Sequence, residues 1–215
     1  MIIEQLFSQP YNRCDFMLEA RGRQIVISPF EDNSKPMFYD RGDDIDVVLD
    51  TSGGKVKSTR HTLYINVTGL DTILRNGDSI YFEGGLRCGV VETSESGFTL
   101  RTKADGIIPN NSILSLPEKH HNLPVLRDSD IEDIEKINKM HKIDFLAIPY
   151  VSSKEDILEV KRRLPIPESQ IVILARIDDR KGIEDFWEIA NLSGGIILNR
   201  TNLSTAFTAD KLFCL

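Results

Sequence analysis

Hydrophobic and polar positions follow two different periods along the chain. Between about residues 25 and 123 the pattern is short and strand-like. Leu63, Ile65 and Val67 alternate with Tyr64 and Asn66, the period of a strand with one buried face. Further apolar runs stand at 46–49, 79–82, 89–91 and 98–102. Turn residues separate them: Ser52-Gly53-Gly54, Asn76-Gly77-Asp78, Glu83-Gly84-Gly85 and Ser96-Gly97. Short strands at this spacing predict a small barrel or sandwich. From about Arg127 the period changes. Ser129 and Glu132 read as a capping box, followed by a helical stripe of Ile131, Ile134, Ile137 and Met140. Ser152 and Glu155 cap a second helix, with Ile157, Val160 and Leu164 inward and Pro165 beyond its end. Ile183, Phe186, Trp187 and Ala190 form the stripe of a third, which predicts Trp187 in the core. Between these helices lie continuous apolar strands at 144–151, 171–177 and 194–199. Strands and helices alternating at this rhythm predict βα units on a parallel sheet buried on both faces. The site of such a sheet lies at the carboxyl ends of its strands. Arg176, Asp178, Asp179, Arg200 and Asn202 stand there.

Composition narrows the picture. The 215 residues are 40% hydrophobic and 27% charged, as in ordinary globular proteins. A complete (β/α)8 barrel typically takes ~250 residues, so this chain is short for one. The 26 basic residues are scattered among 33 acidic ones, for a net charge of −7. That balance weighs against a nucleic-acid partner, which needs a concentrated basic surface. Cys14, Cys88 and Cys214 are odd in number and far apart, which suggests neither a disulfide framework nor a metal site and fits reduced thiols in the cytoplasm. The first residues carry no basic-then-apolar leader, and no apolar run approaches ~20 residues, so neither a signal peptide nor a membrane partner is expected.

Several stretches resemble the pyruvate kinase family. The segment IVILARIDDRKGIEDFWEIANLSGGIILNRTNLS at 171–204 is similar, without gaps, to the family's fifth barrel strand through its sixth-strand ArgGlyAspLeuGly motif. Phe186, Glu188, Ile189, Gly195, Ile196, Arg200 and Leu203 carry the match. The segments at 17–28, 78–86, 112–134 and 144–164 resemble further family segments in the same order. The resemblance implies an α/β fold: a partial (β/α)8 TIM barrel of about four parallel strands (residues 1–27 and 123–215). A small all-β barrel (residues 28–122) is inserted into it as a lid.

The resemblance also implies site residues. The family transfers a phosphoryl group from phosphoenolpyruvate to ADP, using magnesium and potassium, and such transfer depends on cationic charge and positioning. Its catalytic Lys position is Arg176, which keeps the charge on a longer planar fork. Its metal-binding Glu and Asp positions are Asp178, one methylene shorter, and Asn202, which brings no charge. A potassium-ligand Asp position is Glu19. A glycine whose backbone approaches the substrate carboxylate is Thr201, and a second glycine is Ser204. Val26, Gly84 and Pro149 stand where the family has Arg, Asp and Ser. With two strands expected before the match and two after it missing, the scaffold is kept and the chemistry lost. The chain therefore reads as a degenerate pyruvate-kinase-like subunit that binds no magnesium or potassium productively. It would work by association with a full-length pyruvate kinase paralogue, or by self-association of two half rings. Two alternatives remain open: an active divergent pyruvate kinase completed by a partner chain, or a structural component of a larger assembly.

Weaker signals read as structural. His120-His121 is expected in a solvated loop, Arg41-Gly42-Asp43 in a turn, and Asp43, Asp44 and Asp46 in a solvated turn rather than a calcium loop.

Overall fold

The computed structural model describes residues 15–32, 35–50, 56–65, 67, 70–94, 96–116, 123–140, 142–167 and 170–207. Cys14, Cys214, His120-His121 and the Ser52-Gly53-Gly54 turn lie outside the described residues.

The α/β half is built on a four-stranded parallel sheet in the order β1 (Met17–Glu19), β11 (Phe145–Ile148), β12 (Val172–Ile177) and β13 (Gly195–Leu198). β11, β12 and β13 are the apolar runs expected, trimmed at their ends. One face carries Leu146, Ile148, Ile173, Ala175 and Ile177, all essentially buried. They join Ile134 of α2 (Asp128–Met140), Ile157 and Val160 of α3 (Lys154–Arg163), Ile189 and Leu203 in one cluster. Burying each such side chain contributes roughly 1.5–3 kcal/mol. The other face is set by register. Met17 pairs with Phe145, Phe145 with Val172, Leu174 with Gly195, and Arg176 with Ile197, so these side chains project together. Met17 is 55% and Val172 38% exposed, while Phe145, Leu174 and Ile197 are half-buried. This apolar face is thus only partly covered by the described residues.

A second, mixed sheet has seven strands. Its order is β2 (Ile25–Val26), β10 (Ile113–Ser115), β6 (Ser79–Phe82), β7 (Arg87–Ser94), β8 (Gly97–Thr102), β4 (Asp44–Leu49) and β5 (Thr62–Ile65). A bridge between Ile27 and Ile65 brings the last strand back to the first, so the sheet is nearly a closed ring. β3 (Met37–Tyr39) and β9 (Gly106–Ile108) form a separate pair, and α1 (Leu70–Ile73) is a single turn. Leu63, Ile65, Ile80, Leu100 and Leu114 fill the interior. Gly97 is required here, because a Cβ would lie 2.0 Å from the Val47 carbonyl oxygen.

The two sheets meet at a buried polar junction. Gly22 turns the chain from β1 into β2 at φ +51°, where a Cβ would meet the Val125 carbonyl oxygen at 2.8 Å. Asp130 accepts hydrogen bonds from the backbone N–H groups of Arg21, Gly22 and Arg127, and Arg127 donates to the carbonyls of Gly22 and Gln24. Arg23, 6% exposed, forms a bidentate pair with Asp156 at 2.6 and 2.9 Å and donates to the carbonyls of Leu123 and Tyr150.

Several local expectations are corrected. The first cap is not a Ser129–Glu132 box: α2 begins at Asp128, both those residues are exposed, and the Asp130 carboxylate serves the first amides instead. Met140 is 50% exposed because it lies in the last turn, past the sheet. The second cap moves by one residue: Asp156, not Glu155, accepts from the N–H groups of Ser152 and Ser153. The third helix is two, α4 (Arg180–Glu184) and α5 (Phe186–Ala190), broken at Asp185. The break rotates the stripe, so Ile189 is buried while Trp187 is 77% exposed and stacks edge-on against Phe186. Asp44 and Asp46 lie on β4, where they pair with Arg101 and Thr99. Arg41-Gly42 forms the turn expected.

Candidate functional site

The carboxyl ends of β1, β12 and β13 face the β6–β7 turn and the end of β10 across a cleft of about 410 Å3. Glu19, Arg176, Asn199 and Thr201 line one wall, and Tyr81, Glu83 and Ser115 the other. Behind the wall that Arg176, Asn199 and Asn202 present lies Asp178, whose side chain is fully buried just past β12.

Asp178 is saturated with donors. One carboxylate oxygen accepts from Asn199 Nδ2 at 2.7 Å and Asn202 Nδ2 at 2.8 Å, and the other from the Tyr150 N–H at 2.8 Å. Arg176 Nε bridges both oxygens at 2.9 and 3.1 Å. The same guanidinium reaches across β11 to the Glu19 carboxylate at the end of β1. Burial alone would lower the Arg176 pKa, but the hydrogen bond and charge of Asp178, with Glu19 behind it, raise it above its ordinary value. Arg176 also lies over the Tyr150 ring, 5.9 Å from its centroid. Among the described residues that line the cleft, Arg176 is the only basic one.

Tyr150 organises the buried set behind this wall. It sits just past β11 at φ +54°, a conformation uncommon for a bulky side chain. The backbone there is pinned from both sides, by Asp178 on its N–H and Arg23 on its carbonyl. Its hydroxyl meets Asn202 Nδ2 at 3.0 Å and Ser115 of β10 at 3.3 Å. Burial, with the Asp178 charge beside it, pushes the Tyr150 pKa up to about 12. The phenol therefore stays neutral at ordinary pH.

Of the residues singled out in the sequence, Glu19, Arg176, Asp178 and Asn202 come together as one hydrogen-bonded set. Thr201 lines the cleft from the first turn of α6 (Arg200–Ala206), and its side chain is exposed. Asp179 caps α4 by accepting from the Gly182 N–H at 2.8 Å, and also accepts from the Ser152 hydroxyl. Arg200 is exposed on α6. Sequence reasoning missed Tyr150, Asn199 and the Arg23–Asp156 pair. Asn199 directly follows β13 and was open to the strand-end rule, whereas Tyr150 stands two residues past β11, inside the run expected as a strand. Nothing in the spacing of Arg23 and Asp156, 133 residues apart, announces their contact. Among the described residues no three His, Cys, Asp or Glu side chains are gathered so as to hold a metal ion. No described helix is long and apolar enough to cross a membrane.

A parallel βα sheet with polar residues at its carboxyl ends, roofed by a nearly closed β sheet, defines an α/β protein of the kind that places its site at the strand mouths. The family model for the pyruvate kinase barrel domain matches residues 2–215, and the chain belongs to the pyruvate kinase family. It is 29% identical over 212 residues to pyruvate kinase 2, cytosolic, of Oryza sativa, covering 93% of this chain and 39% of that protein. It is 27% identical over 211 residues to the pyruvate kinase of Eimeria tenella, covering 98% and 39%. With the pyruvate kinase of Dictyostelium discoideum the figures are 26% over 200 residues, 92% and 39%. The chain thus spans well under half the length of these relatives.

Proposed function

We propose that the chain is a catalytically degenerate pyruvate-kinase-like subunit that associates with, and stabilises or regulates, a full-length pyruvate kinase. In this reading the four-stranded sheet is part of a (β/α)8 barrel and the seven-stranded sheet, which begins with β2 at Ile25, its lid. One observation carries it: Arg176, the single basic residue among the described residues that line the cleft, is committed to Asp178 and Glu19. Phosphoryl transfer needs cationic charge aimed at the phosphates. Here Glu19 and the buried Asp178 engage one guanidinium and Glu83 lines the opposite wall, so the cleft is ill suited to a polyanion. Association is supported by the half-open face of Met17, Phe145, Val172, Leu174 and Ile197. A contiguous apolar face of this kind calls for a covering partner. A cytoplasmic setting fits the cytosolic relative.

The test has two arms. A coupled pyruvate assay of the purified chain with magnesium and potassium is expected to show no turnover above background. Purification from the native source is expected to bring a second pyruvate kinase polypeptide with it. Turnover, or recovery of the chain alone as a monomer, overturns the corresponding half of the proposal.

A further inference from the structure

The pyruvate kinase family uses magnesium, and by the correspondence of positions its metal would fall between Asp178 and Asn202. The residues present do not fit that ion. Magnesium demands near-ideal octahedral oxygen ligands at ~2.0–2.1 Å. Both Asp178 oxygens already accept hydrogen bonds, five contacts in all, from four donor groups. Asn202 turns its amino end, not its oxygen, toward Asp178 and Tyr150. That orientation is forced, because an amide oxygen facing a carboxylate would set acceptor against acceptor. Glu19, the remaining carboxylate at the strand ends, is taken by the far end of the Arg176 guanidinium.

We infer that the Arg176 guanidinium occupies the place of the divalent cation: a tethered positive charge that joins Asp178 to Glu19 and closes the site to metal ions. This deepens the degenerate reading above and rests on it for the family correspondence. The physics favours the arginine. Its planar fork offers several donors at fixed geometry, so one side chain serves two carboxylates on strands separated by β11. Admitting a metal would break the contacts to Asp178 and leave a guanidinium only 11% exposed without its partners. Asn199 and Asn202 complete the arrangement as neutral donors where a second carboxylate would add uncompensated charge.

Manganese(II), read by the loss of its free electron paramagnetic resonance signal, tests the inference on the full chain. The unmodified chain and Asp178→Asn are both expected to leave the signal of millimolar manganese unchanged. The double variant Arg176→Met, Asn202→Asp is expected to quench it, with affinity raised at least about tenfold. Quenching by the unmodified chain that Asp178→Asn abolishes overturns the inference. So does a folded double variant that still binds nothing, since the guanidinium would then not be what closes the site. Should the double variant fail to fold, the melting temperature of the unmodified chain decides. A midpoint identical in magnesium and in chelator supports the inference, and a magnesium-dependent rise lost in Asp178→Asn overturns it. An unmodified chain that makes pyruvate while binding no manganese overturns the degenerate reading and leaves this one standing.

Discussion

A fully buried carboxylate has to find its counter-charge among neighbouring side chains, and Asp178 finds it in Arg176 with three neutral donors beside it. Each of these residue choices is small. Together they make a closed set of hydrogen-bond partners around one carboxylate. Other buried titratable groups fix the response of the molecule to alkali. Burial pushes the Cys88 thiol up to about 12, burial and the Asp178 charge push Tyr150 to about 12, and burial raises Tyr39 well above the usual phenol range. In the unfolded chain a thiol ionises near pH ~8.5 and phenols near ~10. The folded state therefore holds these protons longer. Their contribution to stability is complete below about pH 8.5 and is lost as pH rises toward 12, at up to ~1.4 kcal/mol per unit for each group. Urea midpoints should stay level up to about pH 8.5 and then fall steadily, and Cys88→Ala should flatten the first part of that fall.

At the scale of elements, the strands were legible and the helix ends were not. The runs at 79–82 and 172–177 form strands because β-branched and aromatic residues fall at the right period, a property local to each run. Caps depend on which carboxylate reaches which amide, and Asp130 and Asp156 won over Glu132 and Glu155 through contacts made to other elements. Asp130 serves the Gly22 turn, and Asp156 serves Arg23. Such choices are tertiary, and no window of sequence contains them. Trp187 illustrates the same limit: a break at Asp185 moved it from the expected core to the surface. The candidate site was legible to the extent that polar residues ended apolar strands or matched a motif. Its inner partners Tyr150 and Arg23 were visible only once the elements were assembled. Arg23 ties the β1–β2 turn to α3 and to the backbone of Tyr150. Arg23→Met removes one partner of a buried, bidentate pair and is expected to destabilise the chain by about 3–5 kcal/mol. Equilibrium unfolding in urea, followed by far-ultraviolet circular dichroism, measures it.

The whole molecule joins two sheets with opposite edge properties. The seven-stranded sheet nearly closes, because a bridge between Ile27 and Ile65 joins its two ends. Among the described residues the parallel sheet has β1 and β13 at its margins and a half-open apolar face. Such margins and apolar surface, where left uncovered, favour association. If the open face is the contact, Val172→Asp should weaken assembly with a full-length pyruvate kinase at least about tenfold, or ~1.4 kcal/mol. Because Val172 is 38% exposed, the fold should be little changed. Sedimentation of the mixed proteins, with circular dichroism of the variant alone, separates the two effects.

The internal link from Glu19 through Arg176 to Asp178 also has a historical consequence. Returning Arg176 to lysine alone would exchange a fork that serves two acids for a single compact head. Returning Asn202 to aspartate alone would set a second acid against Asp178 before any ion is held there. On the proposed degenerate reading, either first step runs uphill. A lineage with this strut would then be ratcheted: selection acting one substitution at a time would maintain it.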